Sequence, residues 1–218
     1  MPALIRTFTG QSIDLLDPDP SALAIEDIAH GLAQTCRFSG QCPRFYSVAE
    51  HAIRVSYMVP EREGLAALLH DASEAYLSDL VSPVKALGGL SGYRALEARL
   101  MDVIYQRFGV VVPFGVVVPE TVQRADAEIV ELECAAFFDG LDLLDLECLA
   151  PVMAEARFLR RFSDLTTPRR ALSPDAIEVA ARRFVLEGWV TLLDPATRKL
   201  FVTLADTLGL SLSDTEGS

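Results

Sequence analysis

The chain has 218 residues, half of them apolar, which is enough to bury a core without disulfide support and fits a single domain. Its formal charge of -12, with two lysines against seventeen arginines, excludes broad binding to a nucleic-acid polymer and leaves a small anionic ligand met by local arginine or a bound cation. No apolar run reaches the roughly 20 residues that a membrane crossing needs, and the opening MPALIRTFTGQSIDLLDPDP lacks a signal-peptide layout, so the expectation is a cytoplasmic protein with no membrane partner.

After that Pro- and Asp-rich opening, ALAIEDIAHGLAQTC follows Ser21, and its apolar residues recur at helical spacing from Leu23 to Ala33. Gly40 and Pro43 interrupt the pattern. Ser47-Val48-Ala49-Glu50 then has the Ser-x-x-Glu form of a capping box, which starts a second helix and puts His51 in its first or second turn. Pro60 ends that helix, and EREGLAALLHDASEAYL predicts a third, with His70-Asp71 behind a dense apolar run. Pro83, Gly88, Gly89 and Gly92 mark a loop before YRALEARLMDVIYQRFG, an amphipathic helix stopped by Gly109.

The segment VVVPFGVVVP reads as a loop or short extended piece because of its prolines and glycine. From Glu120, TVQRADAEIVELECAAFF is helical by period, with Asp126 in its interior and Gly140 past its end. LECLAPVMAEARFLRRF and SPDAIEVAARRFVLEGWVTLL predict further helices, the last capped by Ser173, before a polar tail. The expected fold class is all-α, without internal repeats. The four cysteines (Cys36, Cys42, Cys134, Cys148) form no CxxC pair and read as reduced packing thiols.

Chemistry concentrates on histidine, because the chain has only three. His70 and Asp71 are neighbours, and neighbouring side chains on a regular helix diverge by about 100°, so both cannot face one core. A shared cation explains why an apolar run ends in such a pair. Imidazole nitrogen with carboxylate oxygen suits a divalent ion such as Mn, Co, Zn, Fe or Mg, and such an ion supplies an acidified water and polarises a phosphoryl oxygen. A lone His-Asp dipeptide is commonly a surface or capping pair. Here it stands between His51 upstream and Asp126 downstream.

That order, H, HD, D, is the pattern of the HD-domain phosphohydrolases. RFSGQCPRFYSVAEH, ALLHDASEAYLSDLVSPVK and RADAEIVELE resemble the corresponding stretches of bacterial and phage HD proteins similar to 5'-deoxynucleotidases and to deoxynucleoside triphosphate triphosphohydrolases. The resemblance runs from Ile25 to Glu133. It implies an HD-domain helical bundle in a homodimer, a single domain over 1–218 with its motif core at about 25–140, a helical extension over 141–210 and a tail over 211–218. It implies one divalent metal held by His51, His70, Asp71 and Asp126, and a (deoxy)nucleotide as small-molecule substrate.

By the same resemblance Glu74 orients or deprotonates the attacking water, Asp79 lies near the sugar, and Arg37 contacts phosphate. Each residue has a plainer reading: Glu74 as a solvated helix residue, Asp79 as a cap for the turn before Pro83, Lys85 as a loop lysine and not a phosphate contact, and Phe38 as packing and not a base platform. Arg44 and Arg54 could add charge at the site, although Arg54 can pair with Glu50 at i, i+4. His30 reads as exposed or structural. One-phosphate and triphosphate hydrolysis stay open, since Arg37, Arg44, Arg54 and Lys85 are the nearby cations for extra phosphates. The alternatives are hydrolysis of an alarmone or cyclic dinucleotide, or a nucleotide-binding protein without turnover.

Overall fold

The computed structural model describes residues 2–167 except 86, 88, 113–117 and 142–145. The helix expected from Ser173, Trp189, the tail and the middle of VVVPFGVVVP lie outside the described residues, as does most of the 141–210 extension. Met1–Thr167 forms one compact unit.

The unit is mostly helical, in keeping with the expected class. Helix α1 (Ile25–Gln34) buries Ile28, Ala29, Leu32 and Ala33, the stripe its periodicity predicts. It packs on α8 (Pro151–Thr166) and α4 (Glu74–Leu77), while α2 (Val48–Met58) packs on α3 (Gly64–Leu68), α7 (Glu120–Phe138) and α8. Helices α5 (Ser82–Lys85) and α6 (Ser91–Phe108) complete the set. Leu32, Leu68, Leu69, Ile104 and Phe158 interlock in the main core. A smaller cluster of Val55, Ala67, Val122 and Ile129 joins α2, α3 and α7 beneath the site described below.

Three features differ from the helical reading. The opening segment forms an antiparallel hairpin, β1 (Leu4–Arg6) with β2 (Ser12–Asp14), in the register Leu4↔Asp14. Its strands are three residues each, too short for alternation to stand out in sequence. The hairpin is anchored on α1: Asp27 accepts hydrogen bonds from Thr9 N at 2.7 Å and Thr9 Oγ1 at 2.9 Å. His30 is structural, stacked on Phe8 with ring centroids 3.9 Å apart and 3.0 Å from Glu155 of α8.

Second, the helix expected over 61–77 is broken. A single 3-10 turn at Glu61–Glu63 leads into α3, and residues 69–73 wind through i→i+3 hydrogen bonds (Ala72 N to Leu69 O, Glu74 N to Asp71 O) before α4 begins. His70 and Asp71 sit in this break. Third, the helix read from LECLAPVMAEARFLRRF begins only at Pro151, where proline takes the first helical position.

Helix ends otherwise follow the sequence. Gly109 closes α6 at φ 71°, a left-handed conformation that glycine adopts without a Cβ penalty. Among the described residues no helix is long and apolar enough to cross a membrane.

Gly31 lets α1 approach the backbone of α4. A Cβ there would stand 2.8 Å from both Ala75 Cβ and Ala75 O on α4. Gly31→Ala should therefore destabilise by about 1–3 kcal/mol, because overpacking outweighs the roughly 0.5–1 kcal/mol that alanine brings to a helix interior. A lower urea midpoint checks this; a higher one would mean that α1 and α4 separate freely.

Candidate metal centre

Helix α2 begins as its sequence predicts. The Ser47 hydroxyl accepts the Glu50 N–H at 3.1 Å, which fixes the first turn and sets His51 facing inward and fully buried. The second half of the capping box is not made: the Glu50 carboxylate accepts from the N–H groups of Cys148 and Leu149 at 3.2 and 2.7 Å and from Arg54 at 3.3 Å. Helix α7 faces α2 with Asp126 and Glu133, seven residues and two turns apart on one side of the helix.

The expected ligands converge. His51 Nε2, His70 Nε2 and an oxygen of Asp126 lie within 4.8 Å of one another. Asp126 Oδ1 is 3.1 Å from His51 Nε2 and 3.8 Å from His70 Nε2, and Asp71 Oδ2 is 3.2 Å from His70 Nε2 and 3.8 Å from His51 Nε2. Both Nε2 atoms are buried and find no hydrogen bond of proper angle.

Each histidine spends its other nitrogen elsewhere. His70 Nδ1 is 2.8 Å from the Ala67 carbonyl, which can only accept, so Nδ1 carries the proton. His51 Nδ1 is 2.8 Å from Glu133 Oε1, and the same tautomer follows. In neutral imidazole this leaves a lone pair on each Nε2, aimed at the two carboxylates. Two nitrogens and two carboxylates in this state could hold a divalent cation, with both histidines oriented from behind.

The electrostatics agree. Burial disfavours charge on His70, but Asp71 and Asp126 outweigh it and raise its pKa well above the ordinary 6.5. Burial likewise opposes ionisation of Asp71 and Asp126, yet His70 and His51 hold both below the usual carboxylate range, with Arg37 adding to the effect on Asp71. The cluster demands positive charge.

Around it stand the other residues singled out from sequence. Arg37 is buried, with Nε donating to Glu133 Oε2 at 3.2 Å and Nη1 3.8 Å from Asp71. Glu74 is buried; one oxygen accepts from Lys85 Nζ at 3.0 Å and the other has no partner. Burial, with Asp71 and Asp79 nearby, pushes the Glu74 pKa up to about 9. Asp79 is half-buried and is also raised by burial, Asp71 adding to it against the pull of Arg37.

Lys85 is held between Glu74 and Glu97, 3.0 Å from each, so in this arrangement it braces Glu74. Phe38 packs edge-on against Phe138, centroids 5.4 Å apart. Two of the cations counted from sequence face elsewhere: Arg44 donates to the Leu146 carbonyl and Arg54 pairs with Glu50, as its spacing predicts.

Glu133 was passed over in the sequence, although it closes the stretch RADAEIVELE. It is fully buried and accepts from Tyr46 Oη at 2.7 Å, His51 Nδ1 and Arg37 Nε. Its signal was the two-turn spacing from Asp126. Tyr46 and Glu97 had none, since their partners lie 87 and 12 residues away.

No family model matches the chain. It is 31% identical over 177 residues to the uncharacterized protein YfdR of Escherichia coli (strain K12), covering 77% of this chain and 98% of that protein. The chain belongs to the YfdR family. A second relative, the uncharacterized protein RCAP_rcc00048 of Rhodobacter capsulatus, is 42% identical over 137 residues, 59% of this chain and 69% of the relative. Both YfdR and this second relative are named without an activity, so what the family does has to be read from side chains.

Glu133→Gln should weaken divalent-cation binding about 10-fold or more, because a neutral amide orients His51 less firmly than a carboxylate; calorimetric titration with Mn or Co reads this, and unchanged affinity would remove Glu133 from the site. The pH dependence of the metal-stripped protein has a definite sign. The lowered Asp71 and Asp126 contribute stability above their ordinary 3.8, lost as pH falls through their folded pKa; the raised His70 contributes below 6.5, lost as pH rises through its own. The cluster's contribution should thus be largest between these values. In His70→Gln the decline on the neutral side should disappear from calorimetric melting midpoints.

Proposed function

We propose that this chain is a divalent-cation-dependent phosphohydrolase of the HD type that cleaves the phosphate ester of a (deoxy)nucleotide. The observation that carries this reading is the pair of buried Nε2 atoms, His51 and His70, whose Nδ1 protons are spent on Glu133 and Ala67 O, set against Asp71 and Asp126. A cation bound there would acidify a water and polarise a phosphoryl oxygen.

The chain's own residues divide the remaining work. Arg37, fixed by Glu133 and lying beside Asp71, presents a guanidinium to a phosphate oxygen. We assign Glu74 as the general base: its second oxygen, without a hydrogen-bond partner among the described residues, would take the proton of the attacking water while Lys85 holds the other, once a bound cation offsets the burial that raises its pKa. We assign Asp79 to the sugar, on the ground that it is half-buried and near enough to Arg37 and Asp71 to feel their charges.

The cation supply favours a single phosphate. With Arg44 on Leu146 O, Arg54 on Glu50 and Lys85 on two carboxylates, Arg37 is the guanidinium that meets the cluster among the described residues. We therefore rank a 5'-nucleotidase over a triphosphohydrolase.

The test is phosphate release from deoxy- and ribonucleoside mono- and triphosphates by metal-stripped protein resupplied with Mn, Co, Mg or Zn. Cation-dependent release from monophosphates should fall at least 1,000-fold in Asp71→Ala and about 100-fold in Glu74→Gln, the latter with cation binding retained. Turnover of an alarmone or cyclic dinucleotide alone would reassign the substrate, and binding without turnover of any of these would overturn the enzyme reading.

A further inference from the structure

A cavity of about 570 Å³ lies between α2 and α8, with Glu147 and Leu149 also in its lining. Each helix lines it with one face at i, i+3, i+4, i+7: Glu50, Ile53, Arg54 and Tyr57 from α2, and Arg157, Arg160, Arg161 and Asp164 from α8. Four arginines thus meet in one groove of a chain whose net charge is -12.

Of the three carboxylates in the wall, Glu50 and Glu147 are committed, and Asp164 is exposed. Glu50 is satisfied by the backbone N–H groups of Cys148 and Leu149 and by Arg54. Glu147 pairs with Arg157 at 2.5 Å. Arg160 is exposed and forms no ion pair among the described residues.

One wall is rigid. Arg161 is buried, donating from Nε to Ser56 Oγ at 3.0 Å and from Nη2 to Ser56 O at 2.9 Å. Its guanidinium sits 4.0 Å from the centroid of the Tyr57 ring, and Tyr57 is otherwise 65% exposed. An aromatic ring backed by a fixed cation is a platform for a flat ring, and Ile53 and Leu149 supply apolar surface beside it. The volume exceeds what a lone phosphate fills and falls in the range of small-molecule sites, roughly 300–1,000 Å³.

We propose that this groove is a second ligand site, for a phosphorylated small molecule carrying a planar ring, of nucleotide size, with its ring on Tyr57 and its phosphates on Arg160 and on Arg157, whose exposed pair with Glu147 the phosphate would replace. It is separate from the metal centre and holds whether or not that centre is a hydrolase. Glu50 in its wall precedes His51 in α2, so the two sites share one helix.

The test uses the full chain carrying Asp126→Asn, in chelator, so that the metal centre is disabled, and titrates it with ADP and with inorganic pyrophosphate by calorimetry. ADP should bind saturably at one site. Arg157→Ala combined with Arg160→Ala should weaken it at least 10-fold with an unchanged melting midpoint, and Tyr57→Ala should weaken ADP while sparing pyrophosphate. Arg37→Ala should leave ADP binding intact. The absence of saturable ADP binding at millimolar concentration, indifference to the two arginine substitutions, loss on Arg37→Ala, or pyrophosphate binding as tight as ADP would each overturn the proposal.

Discussion

Glu133 is the group around which the centre is assembled. A carboxylate taken fully out of water is costly unless every lone pair is met, and here Tyr46, His51 and Arg37 converge on it from the loop before α2 and from α2 itself. Burial works against its charge, and His51 and Arg37 overcome that and lower its pKa. One buried charge thereby sets the distance between α2 and α7, the tautomer of His51 and the position of Arg37 together. Replacing it with an apolar side chain would leave Arg37 buried without its partner, so a structural and a chemical role cannot be separated at this position.

The backbone departs from regular geometry where the centre needs it to. Phe38 and Ser39 have positive φ, just after Arg37; Ser78 has φ 66° immediately before Asp79; Cys148 has φ 54° and sends its N–H to Glu50. None of these is glycine, and such conformations persist only where surrounding contacts impose them. The break between α3 and α4 belongs with them. By interrupting the helix it allows His70 and Asp71, which a regular helix would point apart, to close to 3.2 Å.

Charge is partitioned within an acidic molecule. The candidate metal centre gathers Asp71, Asp126, Glu74 and Asp79 around two histidines; burial and the neighbouring carboxylates raise the proton affinity of Glu74, and Asp71 and Asp126 raise that of His70. Lys85 and Arg37 temper that field without cancelling it. Four arginines gather instead between α2 and α8, where they meet Glu50, Glu147 and Asp164, so α2 lies between an acidic site and an arginine-lined groove.

The helices and their caps were legible from sequence because they follow local rules: a 3.6-residue period in α1, α6 and α7, a serine cap at Ser47 and a glycine stop at Gly109; the grouping of His51, His70, Asp71 and Asp126 came instead from the resemblance in their order along the chain. The hairpin was not legible, since three-residue strands carry no measurable period, and neither was the broken helix at His70, which the apolar run before it and Glu74-Ala75 after it made look continuous. Which carboxylate would stand behind His51, whether Glu50 would complete its own capping box or reach to Cys148 and Leu149, and which glutamate would fix Arg37 all depend on contacts between residues about 80 to 100 positions apart. Local chemistry names the groups capable of binding. Only tertiary packing, which decides which of them lose water together, selects the partners.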